Sequence, residues 1–290
     1  MNKIIKDTPK NTLFLGHGYV SQFFCANISH STMNVTVSIN ATKDKYFSTS
    51  SDVKTINFAE IDAVELDSHD NFVISIPPFY DLKTDIIIDK FHDYFLNRNI
   101  PYRLIYLSAT SVYGDHDGKK VQENSELRSN SINGIARIAC EKKYNQLKEN
   151  RFANIIILRL AAIYGDRRNS LLAILEQKIT ANNPSSRLIS RTHVLDISHI
   201  IKQILLSKNI KNITLNIADN KPSTSKEMHD YVCDELLKIA RLPVKDTATK
   251  RSNSSFSLDN KIIDNSLLKQ TLNYKFIFPS YKEGLLNLCS

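Results

Sequence analysis

Residues 12–21, TLFLGHGYVS, carry the pattern on which the fold assignment depends. A predicted strand over Thr12–Leu15 runs into Gly16-His17-Gly18, and a helical stretch begins at Tyr19. In such a unit the first glycine allows the tight turn, the second lets a diphosphate approach the backbone, and the helix N-terminus supplies free amides. Ser21 replaces the third glycine, which normally serves helix packing. The predicted dinucleotide site, whose alternative is a purely structural turn, comprises Gly16, His17, Gly18, Tyr19 and Val20.

Short apolar runs alternate with helical stretches through the rest of the first 165 residues. After Thr12–Leu15 we predict strands at Val35–Ile39, Asn71–Ile76, Tyr102–Leu107 and Asn154–Leu160, and helices at Tyr19–Ser29, Thr84–Asn97 and Ser131–Asn150. Strands alternating with helices imply right-handed crossovers and a parallel sheet. We therefore expect an α/β fold: a Rossmann-type doubly wound parallel sheet with a small C-terminal substrate lobe.

The chain changes character after about residue 168. There we predict helices at Ser170–Ile179 and Val194–Leu206, a strand at Asn212–Ile217, a capping-box helix from Thr224 to about Ile239, and one short helix within Lys261–Ser290. We expect residues 1–168 to form the dinucleotide-binding core. Residues 169–290 are expected to complete the sheet and form the substrate lobe of the same integrated fold.

Composition excludes several classes of protein. With 290 residues, 42% of them hydrophobic, and four widely spaced cysteines, the chain is neither disordered nor a disulfide scaffold, and no cysteine or histidine spacing predicts a metal site. No long apolar segment or signal core is present, so we expect a cytoplasmic protein without a membrane span. The net charge of +8 indicates either a generic lysine-rich surface or attraction of anionic small molecules, and binding of nucleic acid is not expected.

Several ordered blocks resemble the short-chain dehydrogenase/reductase superfamily, specifically its extended and atypical, NAD-dependent epimerase/dehydratase-like members. Beyond the glycine turn, the blocks are Ser75–Pro78, Tyr106–Asp115, Leu158–Gly165, Thr192–Ile197 and Asn216–Asp219. The resemblance implies an NAD(P)-dependent oxidoreductase or a sugar-nucleotide epimerase/dehydratase-like protein. It also implies an anionic or nucleotide-linked small-molecule substrate, and a homodimer that pairs through the helix at Ser131–Asn150.

The resemblance further implies cofactor contacts outside the glycine turn, at Asn40, Ser75, Ile76, Pro77, Ser108, Arg137, Ala161, Ala162 and Ile163. A carboxylate that binds the adenosine ribose is absent from the tip of the second strand, which ends near Asn40. Lys43 and Lys45 could instead pair with a 2′-phosphate, which favours NADP weakly, or they could simply be solvated.

The reaction centre departs from the family pattern of a Ser or Thr followed by Tyr-x-x-x-Lys. The corresponding positions here are Ala109, Asn133 and Arg137, and only Arg137 retains a positive charge. One hypothesis is that Tyr113 or Ser111 supplies the proton beside Arg137, although Tyr113 could equally be a packed aromatic of the turn. The alternative is a non-catalytic NAD(P)-binding sensor or scaffold protein.

Two further features bear on the site. Arg167 and Arg168 follow Gly165 and could clamp an anionic substrate group, joined by Arg191, or could lie on a solvated turn. His193 is expected to order the start of a helix.

Overall fold

The computed structural model describes residues 10–27, 33–40, 53–79, 83–170, 187–239 and 259–289. Its strands are β1 (Lys10–Leu15), β2 (Met33–Ile39), β3 (Lys54–Asn57), β4 (Asn71–Ile74), β5 (Tyr102–Ala109), β6 (Lys120–Val121), β7 (Ala153–Leu160), β8 (Ala162–Tyr164), β9 (Arg191–His193), β10 (Ile213–Ile217) and β11 (Ile262–Ile263). Its helices are α1 (Tyr19–Asn27), α2 (Ala63–Asp67), α3 (Ile86–Asn97), α4 (Ile132–Gln146), α5 (Val194–Leu206), α6 (Ser225–Tyr231), α7 (Leu237–Ile239), α8 (Ser266–Leu272) and α9 (Tyr281–Leu286).

Seven of the strands form one parallel sheet in the order β3-β2-β1-β4-β5-β7-β10. The predicted Rossmann-type doubly wound sheet is therefore confirmed. The order reverses between β1 and β4, and in open α/β sheets ligands bind at such a switch point, outside the carboxyl ends of the strands. The turn after β1 lies at this crevice. The strand at the far edge of the sheet is β10, which belongs to residues 169–290.

Apolar side chains cover both faces of the sheet, which is why its central strands are continuous hydrophobic runs. On one face Phe14 packs with residues of α1 and α5. On the other face Leu13 and Leu15 pack with residues of α3 and α4. Because neighbouring residues of a strand point to opposite faces, these three side chains of β1 contribute to both layers of the core.

Several observed elements differ from the sequence predictions. β3 and α2 were not predicted from the sequence, since β3 is a partly exposed edge strand and α2 has only five residues. The C-terminal end holds α8 and α9 rather than one short helix. The predicted capping box is confirmed, but the helix that it opens contains a π-helical turn at Val232–Leu236. Of the helix predicted at Ser170–Ile179, residues 171–179 lie outside the described residues.

Asp196, near the start of α5, ties the C-terminal end of the chain to this helix. Its buried carboxylate accepts hydrogen bonds from Tyr274 Oη at 2.8 Å, Ile277 N at 2.8 Å and Phe278 N at 3.1 Å. Burial raises the pKa of Asp196, and these three donors oppose that effect.

Within the described ranges, no helix is long and apolar enough to cross a bilayer.

Candidate cofactor and reaction site

Gly16 must be a glycine because of both its backbone conformation and its neighbours. Its φ is +105°, and a Cβ here would lie 2.7 Å from Ile76 Cγ1 and 2.9 Å from Ser75 Oγ. Its N–H donates to Ser38 Oγ at 2.8 Å, and its carbonyl accepts from Ser75 Oγ at 2.8 Å. The turn is therefore clamped between the end of β2 and the residue after β4.

Gly18 is exposed, and its surroundings are the opposite of those of Gly16. A Cβ at Gly18 would meet no described atom within 4 Å. Its carbonyl accepts from Gln22 N at 2.9 Å, which begins α1. His17 packs inward, with Nδ1 3.2 Å from the hydroxyl of buried Ser21. The backbone at the start of α1 thus faces open space, as the approach of a diphosphate requires.

The other residues predicted to contact the cofactor beside the turn follow the neighbouring strands. Asn40 comes directly after β2 and is exposed. Ser75 and Ile76 are half-buried and Pro77 is exposed, all directly after β4. Lys43 and Lys45, which carry the weak preference for NADP, lie outside the described residues.

The end of β5 is packed closely against the first turn of α4. The chain leaves β5 at Ala109 and forms a short 3₁₀ helix, Thr110–Tyr113. At Gly134 a Cβ would lie 2.6 Å from the carbonyl oxygen of Ser111, so only a glycine permits this approach. Exposed Asn133 directly precedes Gly134, and half-buried Ala109 lies two residues before Ser111, so both predicted positions of the reaction centre lie beside this contact in sequence.

Arg137 reaches the same end of β5 from α4. Its Nη1 donates to the carbonyl of Leu107 at 3.0 Å, and the residue is half-buried. Ser111 is also half-buried, and its hydroxyl bonds to no described residue. Ser111 and Arg137, two of the predicted catalytic residues, thus both lie at the carboxyl end of β5.

The side chain of Tyr113 is not available at that end, because its ring is 0% exposed and its hydroxyl is taken up inside the protein. The hydroxyl donates to Asn216 Oδ1 at 2.7 Å and accepts from Arg159 Nη1 at 2.9 Å. Burial raises the pKa of Tyr113, against the lowering effect of Arg159, so the phenol stays protonated near neutral pH. The packed-aromatic alternative fits this placement.

Ser108 belongs to the same buried network. Its hydroxyl donates to Glu141 Oε1 at 2.6 Å. Glu141 also accepts from Arg159, whose Nη2 lies 2.7 Å from Oε2. The side chain of Ser108 is thus committed to α4, and only its backbone remains to contact a cofactor. Sequence reasoning did not find the roles of Glu141 and Arg159, because no local pattern reports such a pairing.

Residues 161–163, which were predicted to contact the cofactor, follow directly after β7. Ala161 N donates to the carbonyl of Ile217 at 2.9 Å, and Ala162 N donates to that of Ser190 at 3.2 Å. Ala162 is exposed and Ile163 is half-buried. These backbone bonds place the segment at the carboxyl end of β7 without using its side chains.

Arg191 does not join the two arginines that follow Gly165. Its Nη1 donates to the carbonyl of Ile189 at 2.9 Å and to Ser223 Oγ at 2.7 Å. Burial lowers its pKa to about 10. A cation already engaged by buried protein oxygens is a poor candidate for an anion clamp.

His193 caps α5, as the sequence analysis expected. Its Nδ1 accepts from Leu195 N at 3.1 Å, so the ring proton sits on Nε2. Burial lowers the pKa of His193 to about 4.

Within the described ranges, no group of three or more His, Cys, Asp or Glu residues could hold a metal ion.

Tyr113→Phe should destabilise the protein by about 1–3 kcal/mol, since it leaves the buried Asn216 Oδ1 without its phenolic donor. Ser111→Ala removes a hydroxyl that bonds to no described residue and is expected to cost less than about 0.5 kcal/mol. Urea denaturation of the wild type and both variants measures these losses in the free energy of unfolding. Equal, small losses would contradict the structural role of the Tyr113 hydroxyl.

The stability contributed by neutral His193 should fall as the solution becomes acidic. Its pKa is lower in the folded chain, at about 4, than in an unfolded chain, at about 6.5, so the unfolded state binds the proton first. Relative to His193→Asn, which keeps a capping oxygen, the wild type should lose about 2–3 kcal/mol between pH 7.5 and pH 4.5. Urea unfolding of both proteins at each pH measures the free energy of unfolding. If this free energy changes equally with pH in the two proteins, the predicted contribution of His193 is refuted.

Comparisons with known proteins agree with the fold and the motifs. A sequence model described as Epimerase, NAD dependent epimerase/dehydratase family, matches residues 91–218. The curated protein "Uncharacterized UDP-glucose epimerase YtcB" of Bacillus subtilis (strain 168) is 27% identical over 191 residues. That match covers 63% of this chain and 58% of the relative, so the chain matches less than two thirds of the relative's length.

Solved structures extend the likeness of fold to nearly the whole chain. A conserved protein of unknown function from Silicibacter pomeroyi DSS superposes with a TM-score of 0.81 at 22% identity, covering 97% of this chain and 98% of that one. MoeE5 in complex with UDP-glucuronic acid and NAD gives 0.76 at 16% identity over 95% and 96% of the two chains. The UDP-glucuronic acid 4-epimerase of Bacillus cereus, also with UDP-glucuronic acid and NAD, gives 0.73 at 20% identity over 95% and 96%. The resemblance of the sequence to the NAD-dependent epimerase/dehydratase family is thereby confirmed over residues 91–218. The likeness of the fold to these solved structures extends over nearly the full length.

Proposed function

We propose that this chain binds NAD(P) at the turn of Gly16–Gly18 and acts on a sugar nucleotide as an epimerase/dehydratase-like oxidoreductase with a degenerate reaction centre. The observation that carries the proposal is the contrast between the two glycines of the turn. Gly16 is clamped by neighbouring strands, whereas the Cβ direction of Gly18 is open. That combination supports a diphosphate at the N-terminus of α1.

The residues at the carboxyl edge of the sheet suit the rest of such a cofactor. The amides of Gly18, Tyr19 and Val20 would bind the diphosphate, and Arg137 would reach ribose hydroxyls from α4. Ala162 and Ile163 would flank the nicotinamide. When bound, the nicotinamide supplies hydride transfer, and the chain must supply the group that takes or gives the accompanying proton.

Ser111 would be a hydroxyl for that proton, with Arg137 of α4 as the cation at the same end of β5. Ala109 has no hydroxyl and Asn133 has no acidic proton near neutral pH. A serine hydroxyl is a weak acid, so any negative charge that develops on it needs a positive partner. Catalysis by this pair would therefore be slow compared with a Tyr–Lys pair.

A second candidate, a non-catalytic NAD(P)-binding sensor or scaffold, is favoured by the residues at positions 109 and 133. The likeness to structures that hold NAD and UDP-linked sugars suggests UDP-glucose and UDP-glucuronic acid as the first substrates to test with NAD⁺ and NADP⁺. We expect turnover that Ser111→Ala reduces at least about tenfold. Cofactor binding without turnover would instead support the sensor.

Gly18→Ala should abolish or strongly weaken cofactor binding while the protein stays folded. The new methyl group clashes with no described atom but occupies the space that a diphosphate needs. We expect the Kd for NAD⁺ to rise by about tenfold or more in isothermal titration calorimetry.

A matched control separates this steric effect from a weakened helix start. Asp62→Ala removes the N-cap of α2, whose Asp62 Oδ1 accepts from Glu65 N at 2.9 Å and whose Leu66 packs on the opposite face of the sheet from α1. It should cost about 1 kcal/mol of stability and leave the Kd unchanged. Unaltered NAD⁺ binding by the Gly18 variant would overturn the proposed site.

A further inference from the structure

The turn that follows β8 is closed by hydrogen bonds between its own residues. Gly165 N donates to the carbonyl of Arg168 at 2.9 Å, and Arg168 N donates back to that of Gly165 at 3.1 Å. Asn169 Nδ2 adds a bond to the carbonyl of Gly165 at 3.0 Å. The reciprocal pair closes the turn, so its side chains project in defined directions.

This turn docks directly on the first residue of α1. The hydroxyl of Tyr19 donates to the carbonyl of Asp166 at 2.6 Å. A Cβ on Gly165 would lie 2.9 Å from that hydroxyl and 2.7 Å from Val194 Cγ1, so the approach requires a glycine. Desolvation raises the pKa of Tyr19 to about 12, which keeps its hydroxyl a donor. A loop from beyond β8 is thus held against the start of α1.

The two arginines of the turn have different surroundings. Arg167 is 83% exposed at its side chain, and its Nε lies 3.4 Å from Asp166 Oδ2. Arg168 instead lies over Tyr19, with Cζ 5.7 Å from the ring centroid. No carboxylate in the described part of the chain pairs with Arg168. The exposed charge of Arg168 therefore lies next to the residue that follows Gly18, and no described residue supplies an anionic partner.

We propose that Arg168 binds the diphosphate of the cofactor, completing from the far end of the core a site that the glycine turn begins. This inference rests on the proposed function. A diphosphate at the amides of the first turn of α1 would carry its negative charge beside Tyr19, where the guanidinium already lies. Guanidinium groups pair with phosphate oxygens in bidentate geometry, and stacking on an aromatic ring orients the group beforehand. Arg168 accordingly serves the cofactor rather than the substrate.

The test compares Arg168→Ala with Arg167→Ala, two adjacent exposed residues whose loss changes the net charge equally. Calorimetry would measure the Kd of NAD⁺, of ADP-ribose, which keeps the diphosphate but lacks the nicotinamide, and of UDP-glucose. Arg168→Ala should raise the Kd of NAD⁺ and ADP-ribose by about 10- to 100-fold. Arg167→Ala should change them by less than about threefold, and neither variant should alter the Kd of UDP-glucose.

Tyr19→Phe provides a second measurement on the same contact. It keeps the backbone amides of α1 and the aromatic ring but removes the hydrogen bond to Asp166, so the turn is held less firmly. We expect an increase of a few-fold in the Kd of ADP-ribose. Thermal melting of every variant verifies that it is folded.

Four outcomes would overturn the inference. Equal effects of the two arginine variants would indicate general charge attraction. An Arg168→Ala effect confined to UDP-glucose would assign the residue to the substrate. Normal cofactor binding by Arg168→Ala would refute this inference alone, whereas a wild-type protein that binds neither NAD⁺ nor ADP-ribose would refute the proposed function as well.

Discussion

A buried ion pair between Arg159 of β7 and Glu141 of α4 is the constraint on which the arrangement at the carboxyl ends of β5 and β7 depends. Arg159 Nη2 lies 2.7 Å from Glu141 Oε2, and both side chains are at most 7% exposed. Removing one partner of such a pair leaves an uncompensated buried charge, at a cost of about 3–5 kcal/mol. The position of α4 against the sheet is therefore strongly restricted.

The remaining polar atoms of this pair extend the restriction to other elements. Ser108 brings in the end of β5, and Tyr113 brings in the 3₁₀ helix that follows it. Asn216 of β10 accepts from the Tyr113 hydroxyl, so the edge strand is included. A buried network with satisfied members is rigid, because each group would lose partners if it moved. The region where Gly134 meets Ser111 is thus built on a fixed support.

The side chains of this network include neither Ala109 nor Asn133, the positions at which the sequence resemblance implied reacting groups. The backbone beside them is nonetheless closely packed, with Gly134 against Ser111. Fold and chemistry are separable in this way because the fold depends on buried groups, whereas the chemistry depends on a few exposed ones. The same scaffold is therefore compatible with both proposed functions, slow catalysis and cofactor binding alone.

Local pattern determined much of this protein. The apolar run at residues 154–160 predicted a strand, which the structure shows as Ala153–Leu160, and the helix at Val194–Leu206 was predicted to the residue. The turn at Gly16 and Gly18 was readable because its constraints lie within a few residues of chain. By contrast, β3 was missed, since a short and partly exposed strand has no strong periodicity and forms only because β2 offers an open edge.

Tertiary structure decided what each polar side chain does. The hydroxyl of Tyr19 meets the carbonyl of Asp166 across 147 residues of sequence, and Tyr113 turned inward toward Arg159. No local pattern encodes such contacts, because they arise when separate strands end at the same edge of a sheet. The amino-acid sequence alone therefore determined the sheet and the glycine turn, which follow from short-range periodicity and backbone freedom. Which groups face the crevice depended on long-range packing, which decides where each buried charge finds its partner.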